Sequence, residues 1–182
     1  MTNLFVGKLV RLRGVEAEDW EYFYRTDQET ETGRFTDEVW FPNTQARARQ
    51  WAEALATRQT IENDEYRFVI ETVAGITVGT LNTHKVNRRN GTFFYGLAIH
   101  PDHRRKGYGA EAIRLVLSYY FNERRYQKVN ADGYSFNTPS MCLHERLGFT
   151  LEGCLRQMTY TGGEYHDVLV YGMTKEEFAG TL

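Results

Sequence analysis

IHPDHRRKGYGAEAI, residues 99–113, carries the reading of this chain. It follows TFFYGLAIH, an apolar run that reads as a strand after the hairpin signal Asn90-Gly91. It leads into residues 107–124, where Ala112/Ile113, Val116/Leu117 and Tyr120/Phe121 recur with the 3.6-residue period of an amphipathic helix. A helix start presents unpaired N–H groups and a partial positive charge, so it suits a phosphate. Gly107 and Gly109 have no Cβ and let main chain approach a diphosphate closely. Arg104, Arg105 and Lys106 add positive charge beside that place. The same residues also fit a solvated basic turn that glycines merely shape. The spacing is neither the GxxxxGK[ST] loop nor GxGxxG.

On the amino-terminal side, residues 8–13, KLVRLR, alternate as a strand. Residues 17–28 set Trp20, Phe23 and Tyr24 at helical spacing, and a polar loop with Gly33 and Pro42 follows. Asn43 or Thr44 caps a second helix, with Trp51 and Leu55 on its inner face. Residues 66–73 and 76–86 read as a strand hairpin about Ala74-Gly75. On the carboxyl side, residues 127–133 read as a strand. Asn137-Thr138-Pro139 starts a helix that Gly148 ends, and strands 149–160 and 165–173 flank Gly162-Gly163. The order is βαα-βββ-α-β-α-ββ. The fold class is therefore mixed α/β, with an antiparallel first half and a strand–helix–strand crossover in the second.

The chain has 182 residues and no Gly/Ser linker or repeat, which fits one domain over 1–182. A net charge of −2 argues against general nucleic-acid binding. Only Cys142 and Cys154 are present, too few for a disulfide framework, and no Cys/His spacing suggests a metal. No signal-peptide segment and no apolar run of 18 residues is found, so a cytoplasmic protein without membrane contact is expected.

Arg104-x-x-Gly107-x-Gly109 resembles the (Arg/Gln)-x-x-Gly-x-(Gly/Ala) loop of the GNAT acetyltransferases, which cradles the pyrophosphate of acetyl-CoA. Asn137-Thr138-Pro139-Ser140 and Leu143-His144-Glu145-Arg146-Leu147-Gly148-Phe149 resemble that family's second signature. LEGCLR and GGEYHDVLVYGM resemble the RimJ/RimL-like branch. The similarity runs over about residues 8–174. It implies the GNAT fold, a central twisted sheet of about seven strands flanked by about four helices. It also implies direct transfer of acetyl from acetyl-CoA to a primary amine, without a metal. The acceptor so implied is a protein N-terminus or a small-molecule amine such as a polyamine.

By the same resemblance, residues 104–110, including Tyr108 and Ala110, hold the pyrophosphate. The main chain of Leu97, Ala98 and Ile99 receives the pantetheine arm, and Asn137 and Ser140 contact CoA. Asn137, Ser140 and His144 share one helix face at i, i+3 and i+7. Asn137 also reads as a cap. Ser140 is the implied hydrogen-bond donor to the leaving sulfur. His144 stands where many GNAT enzymes have a tyrosine acid. An imidazole could give a proton, although a thiol needs little help to leave near neutral pH. Phe94 stands where related proteins carry a glutamate base, which leaves His84, Asp132, Asp167 or water to take the amine proton. The acceptor is expected between the first helices and the last hairpin, near Glu29, Glu31, Arg34, Asp37, Glu38, Trp40, Phe41, Glu164, Tyr165 and His166. Related proteins often pair, and edge strands favour a homodimer. Two other readings fit the same turn: a non-catalytic acyl-CoA-binding or regulatory module, and a nucleotide-binding protein.

Overall fold

A computed structural model of the protein describes residues 3–36, 38–58 and 63–181. Seven strands form one mixed sheet in the order β1-β2-β3-β4-β5-β7-β6. They are β1 (Val10–Arg13), β2 (Arg67–Thr72), β3 (Thr77–Asn87), β4 (Thr92–Ile99), β5 (Lys128–Tyr134), β6 (Thr150–Thr161) and β7 (Glu164–Thr174). The helices are α1 (Trp20–Asp27), α2 (Thr30–Thr36), α3 (Gln45–Ala56), α4 (Tyr108–Asn122), α5 (Thr138–Leu147) and α6 (Lys175–Ala179). The expected mixed α/β order is present, with two further helices. Residues 1–82 and 97–115 form one compact unit, and residues 83–96 and 116–182 form another.

In the first unit, β1 pairs antiparallel with β2, Val10 facing Thr72 and Arg13 facing Val69. Arg13 grips Asp19 with both terminal nitrogens, at 2.7 and 2.8 Å, and reaches Glu71 at 3.3 Å. Glu71 also takes Arg11, and Asp19 accepts the Glu16 N–H at 2.8 Å. This charge network ties the entry to α1 onto β1 and β2. Val15, Phe23, Ala52 and Val69 form a core cluster, with Trp20, Tyr22 and Leu55 packed against it. Thr44, not Asn43, caps α3, its Oγ1 accepting from the Arg47 N–H. Trp51, expected inside, is 41% exposed and meets Phe23 edge-on at 4.6 Å. The small residues Ala48 and Ala52 take the buried stripe instead, which lets α3 lie close to its neighbours.

Helix α2 lies in the stretch expected to be a polar loop. It has no apolar stripe, and its stability comes from tertiary contacts. Thr32 is buried, and a Cβ on Gly33 would stand 2.8 Å from the Glu38 carbonyl.

In the second unit, β4 and β5 run parallel, with Thr92–Phe94 matched to Lys128–Asn130. Strand β5 pairs with β7 along its whole length. Phe93 is fully buried, stacked on Tyr120 at 4.4 Å with Phe121 and Tyr126 edge-on. Each such buried aromatic contributes about 1.5–3 kcal/mol by removal from water. Asn137 caps α5 by accepting from the Ser140 N–H, and left-handed Gly148 (φ 89°) ends it. Strand β6 is outermost and irregular. Between Leu155 and Thr159 it advances four residues while β7 advances two, from Val168 to His166. Gln157 there is left-handed (φ 54°), and its N–H is received by Asp167 at 2.9 Å.

Candidate functional site

In the first unit, β4 ends at Ile99, a short turn of 3-10 helix spans Pro101–His103, and α4 starts at Tyr108. Between them Arg105 (φ 62°) and Gly107 (φ 84°) are left-handed. Arg105 has a Cβ, so its conformation carries strain of about 1–3 kcal/mol, the kind of local strain found at ligand sites. Alternating handedness turns successive N–H groups into one concavity, a shape suited to an anion. The 15-residue α4 adds its dipole at the same place. Arg105 is exposed and, among the described residues, makes no hydrogen bond or ion pair.

The two glycines of the turn have different tasks. Gly107 supplies the left-handed backbone. A Cβ on Gly109 would stand 3.0 Å from Leu97 Cδ2 and 3.5 Å from Ile99 Cγ1. Its missing side chain therefore lets α4 lie against β4, a packing task that the sequence did not mark. Tyr108 and Ala110 are half-buried in the first turn of α4. Leu97, Ala98 and Ile99 are half-buried at the end of β4, which lies close to β3. A Cβ on Gly79 would stand 2.5 Å from the Ala98 carbonyl.

The three basic side chains also part company. Lys106 donates to the Asp102 carbonyl at 2.9 Å. Arg104 does not extend toward solvent. It donates to the Ile99 carbonyl at 3.2 Å and to Thr32 Oγ1 at 3.2 Å, lies 3.7 Å from Glu31, and sits over the Phe35 ring at 5.7 Å. Glu111 was not singled out in the sequence. At the first turn of α4 it accepts the N–H groups of Lys8, Leu9 and Val10 at 2.9, 2.7 and 2.8 Å. This clamp fixes the start of β1 beside the turn.

In the second unit, Asn137, Ser140 and His144 lie together on α5. His144 is 4% exposed. Its ring stacks on Tyr171 at 5.0 Å, meets Phe149 edge-on at 5.2 Å, and lies 5.9 Å from Tyr95. Nδ1 is 3.4 Å from Ser140 Oγ, and buried Nε2 has no hydrogen-bond partner among the described residues. Burial pushes the imidazole down to about 4, against a weaker upward pull from its hydrogen bond to the Ser140 main chain. It is therefore neutral at pH 7. The Tyr95 hydroxyl, also buried and without a hydrogen-bond partner among the described residues, faces the same problem, and burial holds it un-ionised. Strand alternation puts Tyr95 on the buried face with Phe93, but nothing in the sequence marks its hydroxyl.

Phe94 lies 6.0 Å from the His84 ring and under Lys85 Nζ at 4.6 Å. Asp132 is paired with Lys85 at 3.2 Å. The Gln157 N–H and then the Cys154 thiol hold the Asp167 carboxylate below its usual range. Both carboxylates are thus engaged. On the expected acceptor side, Glu29, Glu31, Arg34 and Glu38 are exposed in the first unit, with Trp40 66% and Phe41 95% exposed. Asp37 lies outside the described residues. In the second unit Glu164 and Tyr165 are exposed, and His166 rests edge-on against Phe136 at 4.7 Å.

The family model described as acetyltransferase (GNAT) domain matches residues 10–150. The chain belongs to the GNAT acetyltransferase family. This GNAT protein is an N-acetyltransferase, and it is similar to the SPbeta prophage-derived uncharacterized N-acetyltransferase YokL of Bacillus subtilis (strain 168). They are 41% identical over 174 residues, 96% of this chain and 94% of the relative. It is 24% identical to the spermidine N(1)-acetyltransferase of Escherichia coli (strain K12) over 160 residues, 88% of this chain and 83% of that one. Its fold matches the spermidine N-acetyltransferase of Vibrio cholerae, solved in complex with CoA and spermine. That match has a TM-score of 0.82 and 21% identity, covering 95% of this chain and 99% of the other. Among the described residues of this GNAT chain no helix is long and apolar enough to cross a membrane.

Proposed function

We propose that the chain, acting as one domain, transfers the acetyl group of acetyl-CoA directly to a cationic primary amine in a ternary complex. The observation that carries this reading is the left-handed Arg105–Gly107 turn at the start of α4. Its main-chain N–H groups over residues 105–110, with the Arg105 and Lys106 side chains, take the pyrophosphate, while the Arg104 N–H stays on the Pro101 carbonyl. The main chain of Leu97, Ala98 and Ile99 takes the pantetheine arm, and Asn137 and Ser140 add CoA contacts. No metal takes part.

The neutral amine attacks the thioester carbonyl after losing its proton to solvent. The C–N bond forms, the C–S bond breaks, and the thiolate collects a proton. Holding both reactants together supplies much of the rate. Ser140 donates the hydrogen bond to sulfur. His144, neutral at pH 7, orients Ser140 instead of acting as an imidazolium acid. This reading reassigns the acid role that the resemblance offered to His144.

A polyamine acceptor is favoured over the protein N-terminus that the RimJ/RimL-like resemblance suggested. The exposed Glu29, Glu31 and Glu38 suit several ammonium groups, and spermidine acetyltransferases are among the relatives. The test is thiol release from acetyl-CoA with spermidine, spermine, a peptide with a free N-terminus and an aminoglycoside. Turnover is expected with the polyamines, and kcat is expected to fall about tenfold in Ser140→Ala. Thiol release with the peptide or the aminoglycoside but with neither polyamine would overturn the polyamine assignment.

A further inference from the structure

Arg104 is the first residue of the motif that names the donor turn, yet its guanidinium points to α2. Its Nε is anchored on the Ile99 carbonyl at 3.2 Å and one terminal nitrogen on Thr32 Oγ1 at 3.2 Å. The other terminal nitrogen lies 3.7 Å from Glu31, and the plane sits over Phe35 at 5.7 Å. A planar fork with three directed partners is well held, and a lysine cannot reproduce it. Helix α2 needs such a brace. It has seven residues, includes Gly33, and is too short to hold itself in water.

What α2 supports is the segment after it. A Cβ on Gly33 would stand 2.8 Å from the Glu38 carbonyl and 3.6 Å from Val39 Cα, so residues 38–39 lie directly on the helix. That segment goes on to Trp40 and Phe41, 66% and 95% exposed. Two large aromatics left in water are costly unless something covers them. Carboxylates of Glu29, Glu31 and Glu38 lie along the same stretch and are exposed. Aromatic faces with carboxylates beside them match a cation that has an apolar chain, the chemistry of an alkyl polyamine.

We propose that Arg104 is a positioning residue for the amine acceptor and not a phosphate ligand. From the donor turn it braces α2, and α2 in turn holds the Val39–Phe41 segment against which the amine chain lies. The acceptor half of this inference rests on the proposed acetyl transfer, and the brace itself does not.

The test compares the full chain with Arg104→Ala, Arg104→Lys and Arg105→Ala. CoA affinity is measured by calorimetry, backbone exchange over residues 29–41 by mass spectrometry, and turnover with spermine. In Arg104→Ala, CoA Kd should stay within about twofold, exchange over 29–36 should rise at least tenfold, and spermine KM should rise about tenfold with little change in kcat. Arg104→Lys should behave like Arg104→Ala. Arg105→Ala should weaken CoA about tenfold and leave α2 exchange unchanged. A tenfold loss of CoA affinity in Arg104→Ala, unchanged α2 exchange, or unchanged spermine KM would overturn the proposal. Thr32→Val, which keeps the guanidinium and removes one anchor, guards against misfolding of the arginine variants and should raise α2 exchange in the same direction. Absence of turnover in the parent chain would refute the proposed activity, while the CoA and exchange measurements would still judge the brace.

Discussion

Acidification from pH 7 to pH 4.5 puts a proton on His144 in the unfolded chain before it does so in the folded one. Unfolded, the ring titrates near its ordinary 6.5, and folded, at about 4, because Tyr171, Phe149 and Tyr95 exclude water from it. Between those values the unfolded chain binds more protons, so stability falls as pH falls. The His144 contribution is whole above pH 6.5, declines through the window, and is fully lost below about pH 4. Each pKa unit corresponds to about 1.4 kcal/mol, so the whole gap is worth about 3 kcal/mol. Going only from pH 7 to pH 4.5 releases about 2 kcal/mol of it. His144→Phe has no proton to gain, keeps the stack on Tyr171, and removes the buried Nε2 that lacks a partner among the described residues. Carboxylates elsewhere titrate alike in both proteins and cancel in the comparison. Urea unfolding at each pH should therefore show the parent losing about 2 kcal/mol more than His144→Phe, a midpoint difference of roughly 1 M. Parallel stability curves for the two proteins, or a His144 proton resonance titrating near 6.5, would refute the reasoning.

Gly109→Ala should be tolerated, because Leu97 can yield by a few tenths of an ångström, whereas Gly109→Val should cost about 2 kcal/mol by thermal unfolding as the wedge parts α4 from β4. Asp19→Ala removes both bonds to Arg13 and the acceptor for the Glu16 N–H, and should destabilise by about 2–4 kcal/mol in urea. Glu111→Ala leaves three N–H groups without their carboxylate, so Leu9 and Val10 amides should exchange at least tenfold faster in NMR hydrogen exchange. Gly107→Ala strains the left-handed turn and should lower both melting temperature and CoA affinity, by about 1 kcal/mol or more in unfolding.

The donor turn was legible because its signals are local. Basic residues, two glycines and the 3.6-residue stripe of α4 lie within 25 residues of each other. The succession of elements along the chain followed from turn chemistry at Asn90-Gly91 and Gly162-Gly163 and from the cap at Asn137, while the order of the strands in the sheet did not. Helix α2 was not legible, since Thr-Glu-Thr-Gly-Arg-Phe-Thr has no stripe and its order depends on Arg104, some 70 residues away in sequence. The direction of Arg104 was hidden for the same reason. His144 could be placed on a face with Ser140, but its neutrality depends on Tyr95, Phe149 and Tyr171, which come from separate parts of the chain. Trp51 was misplaced because hydrophobicity favoured it for the core, while close helix packing selected Ala48 and Ala52.

The two residues that β6 gains between Leu155 and Thr159 also affect how the protein behaves in a crowded solution. Strand β6 is outermost, 12 residues long, and exposes Leu155, Met158 and Tyr160. A regular strand of that length and character is a template on which other chains can add. The left-handed Gln157, pinned by Asp167, divides the outer edge into two short runs. Asp167 thus holds the break in the strand by accepting the Gln157 N–H, and a broken edge offers a growing sheet a poorer template than a regular one.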